Sequence, residues 1–309
     1  MEINKEKFYV RSCDGEHDLA GMVFLPEGKA RGLFHVVHGM TEHIARYERF
    51  MMDMASAGYI CFGYDHLGHG HTARDESELG YIAKEDGWKL LVCDVPNFAA
   101  AVREKYADAN TPYYLLGHSM GSFIVRLVAI GGTKIDKLIV MGTGDLNPAA
   151  DAGLALIGVI KAIKGDRHFS KFIDKMAFGS YNSRFKAEIE HAPSPWLTTD
   201  FEIRKRYAAD PFCRFKFKVG AMGDLIRLMK YSNTSGWYKR FPTDVPVLLV
   251  SGRDDAVGNY GKGIENVCRK LKGVGANVTC ILYDGARHEI LNDFTHDTVT
   301  SDILAFCEN

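Results

Sequence analysis

The sequence lacks closely spaced cysteine pairs, although it contains seven cysteines among 309 residues. None belongs to a Cys-x-x-Cys pair, the number is odd, and the positions are scattered, at 13, 61, 93, 213, 268, 280 and 307. Such spacing predicts neither a disulfide framework nor a zinc site. We therefore expect reduced, buried thiols, as in a protein of a reducing compartment.

A long apolar run is also missing. The longest nearly apolar stretch, residues 152–163, includes Lys161 and is too short to span a bilayer. The first seven residues are charged and lack the apolar core of a signal peptide. These two absences predict a cytoplasmic protein without a membrane-spanning helix.

The chain has no excess of either charge. Its formal net charge is −1 at pH 7, so no overall basic field favours nucleic acid as a partner. The glycines at 28, 32, 142 and 144 form no Gly-x-Gly-x-x-Gly motif, so a dinucleotide cofactor is not predicted. Hydrophobic residues make up 46% of the chain and charged residues 25%, a composition typical of a globular protein with a large core.

Short apolar runs and helix-patterned segments alternate along the first half of the chain. This alternation predicts an α/β fold with a mostly parallel, doubly wound sheet. Pro96 predicts a kink in the helix expected over 87–106, or its division into two shorter helices. The alternation stops between 146 and 240, where we expect an inserted helical cap on a core of residues 1–145 and 241–309. Strands are predicted at 7–12, 17–25, 33–37, 59–64, 113–117, 137–141, 245–251 and 278–283.

One predicted strand ends in the run Gly117-His118-Ser119-Met120-Gly121, and a helical segment follows it. A strand, a sharp turn and a helix around Gly-x-Ser-x-Gly form a nucleophile elbow, in which the serine hydroxyl projects above the sheet. Gly117 and Gly121 are needed where a Cβ would clash with neighbouring backbone. Ser119 is therefore the candidate nucleophile.

A nucleophilic serine needs a base, usually histidine, that a carboxylate orients. His288 follows the last predicted strand and is the candidate base. Adjacent carboxylates, Asp254 and Asp255, follow the strand before it, and Asp284 lies near the histidine in sequence. In elbow-type hydrolases the acid comes between the serine and the histidine in chain order. We prefer Asp255 as the acid, although the pattern alone leaves Asp254 open.

Stabilisation of an oxyanion requires two backbone N–H groups. Met120, directly after the nucleophile, supplies one, and we assign the other to Met40 in the loop that follows the third strand.

The residues His66, His69 and His71 have the composition of a metal cluster. Glycines lie between them and a second group of ligands is missing, so we expect a structural turn and no metal.

The predicted cap is basic, with 17 Lys and Arg against 9 Asp and Glu over residues 151–240. This excess indicates either a solvated cap face or weak contact with an anionic surface, such as a membrane or a phosphate-bearing substrate. Within the cap, residues 153–163 are apolar nearly all round. Such a segment lines an acyl pocket, touches lipid or is buried against the core, and we favour burial.

Several motifs together resemble the monoacylglycerol lipase and lysophospholipase-like branch of the α/β-hydrolases, often labelled serine aminopeptidase-type. The resemblance implies the α/β-hydrolase fold, with Ser119 as nucleophile, Asp255 as acid and His288 as base. It also implies that the N–H groups of Met40 and Met120 form the oxyanion hole, and it favours Asp255 over Asp254. The motifs are His38-Gly39-Met40-x-Glu42-His43 with Arg46-Tyr47, Asp65-x-x-Gly68-His69-Gly70, Gly117-His118-Ser119-Met120-Gly121, Gly252-x-x-Asp255 and Gly285-x-x-His288.

The motifs and the resemblance together predict a cofactor-free serine hydrolase that cleaves carboxylic esters through an acyl-enzyme. The expected substrates are small-molecule esters or single-chain lipids, above all monoacylglycerols, lysophospholipids or similar lipids. One alternative with the same fold is a peptidase that removes N-terminal residues, which would need carboxylates to hold the substrate ammonium. Another alternative, of a different class, is a ligand-binding protein that keeps the hydrolase fold without catalysis.

Overall fold

A computed structural model of the chain describes residues 3–309, so that Met1 and Glu2 of the charged N-terminus lie outside the described residues. Its centre is one eight-stranded sheet. The strands are β1 (Asn4–Arg11), β2 (Asp18–Leu25), β3 (Gly32–Val37), β4 (Tyr59–Tyr64), β5 (Tyr113–His118), β6 (Lys137–Met141), β7 (Val247–Gly252) and β8 (Val278–Tyr283).

The sheet is mostly parallel, as predicted. Its strand order is β1-β2-β4-β3-β5-β6-β7-β8. β2 pairs antiparallel with β1 and β4, and all other neighbouring strands are parallel. The carboxyl ends of β3 and β5 to β8 therefore lie along one edge, where open α/β sheets place their ligand sites.

Helices cover both faces of the sheet, which explains why the central strands are buried along their whole length and mostly apolar. On one face, Phe50, Met54 and Ile303 belong to a core cluster with Phe34 and Val36 of β3. On the other face, residues of the three remaining core helices pack against the sheet. The first face carries α1 (Glu48–Ser56) and α10 (His296–Glu308), and the second carries α2 (Gly87–Tyr106), α3 (Met120–Ala129) and α9 (Lys262–Gly273).

Residues 142–246, all of which the structure describes, contain helices and no strand. We propose that residues 146–240 of this segment form a cap on a core of residues 1–145 and 241–309. Helix α7 (Val219–Tyr231) packs against α2 and α3 and joins the cap to the core. The cap helices are α4 (Ala150–Lys164), α5 (Lys171–Phe178), α6 (Phe201–Ala209), α7 (Val219–Tyr231) and α8 (Ser235–Arg240), with a 3-10 helix at Ser183–Glu188.

Helix α2 runs without interruption although Pro96 lies inside it. The expected division into two shorter helices is therefore wrong. Pro96 removes one N–H from the helical hydrogen bonds. Val95 and Phe98, beside the proline, are fully buried, and their burial offsets that lost bond.

Cys13 and Cys93 form a disulfide that joins the segment after β1 to α2 across 80 residues of sequence. The expectation of reduced thiols is wrong for these two residues, because the sequence carries no sign of which distant cysteines meet. Disulfides are rare in cytosolic proteins, so this bond weighs against the cytoplasmic location, which stays a prediction. Among the described residues, no helix is long and apolar enough to cross a bilayer.

Helix α4 is only partly buried, which corrects the favoured interpretation of residues 153–163. Gly153 and Ile157 are buried, and α4 packs against α7. Val159 and Ile163, however, are 57% and 72% exposed. The apolar character of this helix therefore exceeds what its packing against the protein requires.

Candidate active site

Ser119 occupies a strained turn between β5 and α3. Its φ and ψ are 54° and −118°, a combination that residues other than glycine rarely adopt. The Ser119 N–H donates to the carbonyl of Met141 (3.0 Å), which ties the turn to the neighbouring strand β6. This is the geometry of the elbow predicted from the sequence, and it leaves the serine side chain partly exposed at the edge of the sheet.

The two elbow glycines are needed because backbone passes close to them. A Cβ on Gly117 would lie 2.3 Å from the carbonyl oxygen of Gly121, and a Cβ on Gly121 would lie 2.1 Å from that of Val37. In the loop after β3, a Cβ on Gly39 would lie 2.9 Å from Cβ of Ser119. The predicted oxyanion loop therefore touches the predicted nucleophile.

The two predicted oxyanion amides flank this contact. Met40 follows Gly39 in the loop, and Met120 begins α3, so that its N–H has no partner inside the helix. A free amide at a helix N-terminus suits a developing negative charge.

His288 and Asp255 form a buried pair next to the elbow. Nδ1 of His288 lies 3.0 Å from Oδ2 of Asp255, and the two residues are 2% and 0% exposed. Ser251 Oγ donates to the same carboxylate oxygen (3.0 Å), and the Val257 N–H donates to the other (2.8 Å). A Cβ on Gly142, at the end of β6, would lie 3.2 Å from Cε1 of His288, so the imidazole reaches over the strand that flanks the elbow.

Asp255 is held as a carboxylate. Burial alone would raise its pKa, but the charge of His288 and the hydrogen bonds from His288, Val257 and Ser251 outweigh burial and lower the pKa below its usual range. The other candidate acids lie elsewhere. Asp254 is only half-buried, and Asp284 is exposed and pairs with Arg253.

Comparison with known proteins identifies the family. A family model described as "Serine aminopeptidase, S33" matches residues 28–295. The chain belongs to this α/β-hydrolase family. The predicted resemblance and fold are thereby confirmed.

Individual α/β-hydrolases resemble the chain over nearly its whole length. A monoacylglycerol lipase of Mycolicibacterium smegmatis is 25% identical over 313 aligned positions, which cover 96% of this chain and 98% of that one. The crystal structure of a carboxyl esterase from Bacillus coagulans in complex with glycerol superimposes with a TM-score of 0.91, at 28% identity and 99% coverage of both chains. A soluble variant of monoglyceride lipase from Saccharomyces cerevisiae, in complex with a substrate analog, shares the fold with a TM-score of 0.74 at 21% identity, covering 99% of this chain and 94% of that one. The prediction of a serine hydrolase of carboxylic esters is confirmed at this level.

In this α/β-hydrolase, the carboxylate of Glu42 joins the oxyanion loop to the elbow. Its Oε1 accepts from the Gly39 N–H (2.6 Å) and from the Tyr47 hydroxyl (2.9 Å), and it lies 3.1 Å from Nδ1 of His118. The other ring nitrogen of His118, Nε2, lies 3.2 Å from the carbonyl oxygen of His288. One buried carboxylate thus connects the loop of Met40 to His118, the residue before Ser119, and through His118 to the backbone of His288.

Glu42 and His118 form a buried pair, with Oε1 and Nδ1 3.1 Å apart. Burial alone would lower the pKa of His118, but the hydrogen bond and the charge of Glu42 outweigh it and raise that pKa. The pKa of Glu42 is correspondingly held well below its usual range, since His118 and Arg46 outweigh its own burial. The contacts of its two ring nitrogens hold the His118 ring between Glu42 and the carbonyl oxygen of His288. Glu42 and Arg46 belong to the sequence motif around the loop after β3, and the motif does not by itself predict this role.

The cap contacts the segment that carries His288. Arg287 forms a two-point ion pair with Glu188 of the cap (2.6 and 2.9 Å) and also donates to the carbonyl of Pro195 (2.7 Å). The Glu289 N–H donates to the carbonyl of Leu197 (2.8 Å). The cap is therefore attached to the residues on both sides of His288.

Aromatic side chains of the cap line the approach to His288. The ring of Trp196 lies 5.2 Å from the imidazole between centroids, and Tyr181 lies 5.0 Å from Trp196. Phe178 lies 5.6 Å from Tyr181. All three are partly exposed, so they present an apolar wall beside His288.

The predicted structural turn after β4 is buried at His66 and His69, whereas His71 is exposed. The His66 N–H donates to Nε2 of His38 (3.1 Å), and Nδ1 of His69 lies 2.9 Å from the carbonyl oxygen of Leu67. Burial lowers the pKa of His66 to about 3 and that of His69 to about 4, so both rings are neutral. The remaining ring nitrogens, Nδ1 of His66 and Nε2 of His69, are buried and have no hydrogen-bond partner among the described residues.

Proposed function

We propose that the chain hydrolyses single-chain lipid esters, monoacylglycerols in the first place and lysophospholipids in the second, through an acyl-enzyme on Ser119. The observation that carries the proposal is the strained Ser119 beside a buried His288–Asp255 pair. An ordinary strand-to-helix turn has no need of a positive φ at a serine or of a fully buried carboxylate behind a histidine.

In the proposed reaction, Ser119 Oγ attacks the ester carbonyl, and Nε2 of His288 takes the serine proton. The bond from Nδ1–H to Asp255 fixes the tautomer in which Nε2 is the acceptor. The N–H groups of Met40 and Met120 stabilise the tetrahedral oxyanion. His288 then returns the proton to the leaving alcohol, and water repeats the sequence on the acyl-enzyme.

Two features support a lipid ester as substrate. The apolar wall of Phe178, Tyr181 and Trp196 offers surface for an acyl chain rather than for a charged terminus. In addition, similarity to the monoacylglycerol lipase of M. smegmatis extends over 96% of the chain.

The carboxylates near the site do not favour a peptidase. A substrate ammonium would need an acidic partner, but Glu42 pairs with His118, Glu188 with Arg287, and Glu289 with Arg46. Each of these charges is already compensated, so binding a second cation would require breaking an existing pair.

The substrate proposal is tested by comparing kcat/KM for 1-monoacylglycerols, lysophosphatidylcholine and aminoacyl-4-nitroanilides. We expect monoacylglycerols to exceed the anilides by about a hundredfold or more, because an unpaired ammonium in the site costs several kcal/mol. Faster anilide cleavage would establish the peptidase instead. No labelling by a fluorophosphonate would leave only the ligand-binding alternative.

We also propose weak contact between the cap and anionic lipid surfaces. Four large apolar side chains near the connection between α4 and α5 are more than half exposed: Val159, Ile163, Phe172 and Met176. Exposed lysines lie among them, at 164, 171 and 175. We call these seven residues the cap patch. Apolar side chains together with lysines are the combination that binds anionic membrane surfaces.

This contact predicts binding to vesicles that contain phosphatidylglycerol and weaker binding to pure phosphatidylcholine. Ile163→Asp should weaken vesicle binding by about tenfold or more, since one buried aliphatic side chain contributes about 1.5–3 kcal/mol. Raising salt should weaken binding too, because screening shortens the range of the lysine charges. Phe294→Asp is the matched control, because Phe294 is 67% exposed but lies outside the cap. Equal loss in both variants would contradict the assignment to the cap patch.

A further inference from the structure

Three metal-ligating side chains meet at the junction of the cap and the oxyanion loop. They are His43 from the loop after β3, and Asp210 and Cys213 from the segment after α6. One ligand atom of each lies within 4.8 Å of the others. None of them belongs to the pair of His288 and Asp255 or to the elbow.

Local structure aims the ligand atoms at one another. The Cys213 N–H donates to the carbonyl of Asp210 (3.0 Å), so a single turn brings the thiol and the carboxylate to the same side. The Phe212 N–H donates to Oδ1 of Asp210 (2.8 Å), which leaves Oδ2 directed at Nε2 of His43 (2.9 Å).

On the core side, the backbone next to His43 is held in place. The Ile44 N–H donates to Oδ1 of the buried Asp65 (2.7 Å). His43 therefore projects from a fixed position, and Asp210 and Cys213 lie on the connection between α6 and α7. In a tetrahedral zinc site the ligand atoms are roughly 3.3–3.8 Å apart, so closing this group requires shifts of about 1 Å.

Burial and charge at the junction suit a cation. Cys213 is 2% exposed, whereas the side chains of His43 and Asp210 are 13% and 29% exposed, so the group is sheltered and still open to solvent on one side. The guanidinium of Arg46 is close by, but it is bound at two points by Glu289 (both 2.7 Å) and by Glu42 (3.0 Å). Its charge is thus compensated and does not oppose a metal ion.

We propose that His43, Asp210 and Cys213 bind one Zn²⁺ ion, with water as the fourth ligand. A thiolate, an imidazole and a carboxylate form the ligand set that selects zinc over calcium or magnesium, which prefer oxygen. The site is separate from the proposed ester hydrolysis. It would fasten the cap to the loop that carries Met40, because two ligands come from the cap and one from that loop.

The direct test is metal binding to the full-length protein after dialysis against a chelator. Titration with Zn²⁺ should show one site with a Kd below about 10 µM. Co²⁺ in its place should give a tetrahedral spectrum with thiolate-to-cobalt charge transfer, a readout independent of enzymatic activity. Cys213→Ser and Asp210→Asn should each weaken binding by about a hundredfold or more, because each removes one of the three protein ligands.

Cys280→Ser is the matched control, since Cys280 is a half-buried free thiol in β8, and it should bind Zn²⁺ as the wild type does. If Cys213→Ser does not fold, Asp210→Asn decides, because Asp210 lies at the surface. Zn²⁺ should also raise the Tm of the wild type and not that of Asp210→Asn. The proposal is overturned by a Kd above about 10 µM in the wild type, or by a cobalt spectrum that survives loss of Cys213.

Discussion

Replacing Ser119 by alanine should lower kcat for ester hydrolysis by about 10⁶-fold, because the residual reaction would have no nucleophile on the enzyme. Oxyanion amides and substrate binding would still operate, so a residual rate above that in water is expected. The measurement is single-turnover hydrolysis of a short 4-nitrophenyl ester, which avoids dependence on lipid dispersion.

Folding should not suffer from this change, because Ser119 contributes no side-chain cap to α3. Alanine at a positive φ carries the same backbone strain as serine, so the Tm should change little. Ser122→Ala is the neighbouring control: the Ser122 hydroxyl donates to the Ser119 carbonyl (2.5 Å), and its loss should reduce the rate only modestly. Full esterase activity in Ser119→Ala would refute the proposed nucleophile.

Asp255→Asn should lower kcat by about 10⁴-fold with little change in KM. The asparagine loses the charge that stabilises the imidazolium. Its amide N–H₂ would also face Nδ1 of His288 and favour the tautomer in which Nε2 carries the proton and cannot accept another. Since the lost interaction strengthens only in the transition state, the loss should appear in kcat.

Asp254→Asn is the matched control for this experiment, because it makes the same chemical change one residue earlier. Asp254 is half-buried beside the loop and has no bond to His288, so its variant should keep the wild-type rate within about threefold. Because the pKa of Asp255 is lowered, Asp255 should not set the acid limb of the wild-type pH–rate profile. A larger loss in Asp254→Asn than in Asp255→Asn would reverse the assignment.

The sequence predicted those parts of the molecule that depend on local pattern. β4, β6 and β8 have the predicted bounds, and the other strands differ by only a few residues, because buried parallel strands are short apolar runs with clear ends. The elbow could be predicted for the same reason, since the requirement for Gly117 and Gly121 arises from contacts close to the turn. The order of serine, acid and base then followed from the known order in elbow hydrolases.

Contacts between residues distant in sequence were not predictable. Cys13 meets Cys93 across 80 residues, and Glu42 meets His118 across 76. His43 meets Asp210 across 167 residues, and neither residue type signals its partner. Partial burial of α4 was missed for another reason: hydropathy gives the same value for an apolar face that touches protein and one that is left exposed.

Attachment of the cap on both sides of His288 has a consequence for how substrate range can change in evolution or by design. A cap grafted from a relative would bring a new pocket wall, but it would also remove the acceptors of Arg287 and of the Glu289 N–H. The backbone on both sides of His288 would then lose the contacts that hold it to the cap. Replacing the whole cap should therefore change substrate selectivity and reaction rate together. A graft that keeps residues 188–198 of this chain should change selectivity alone.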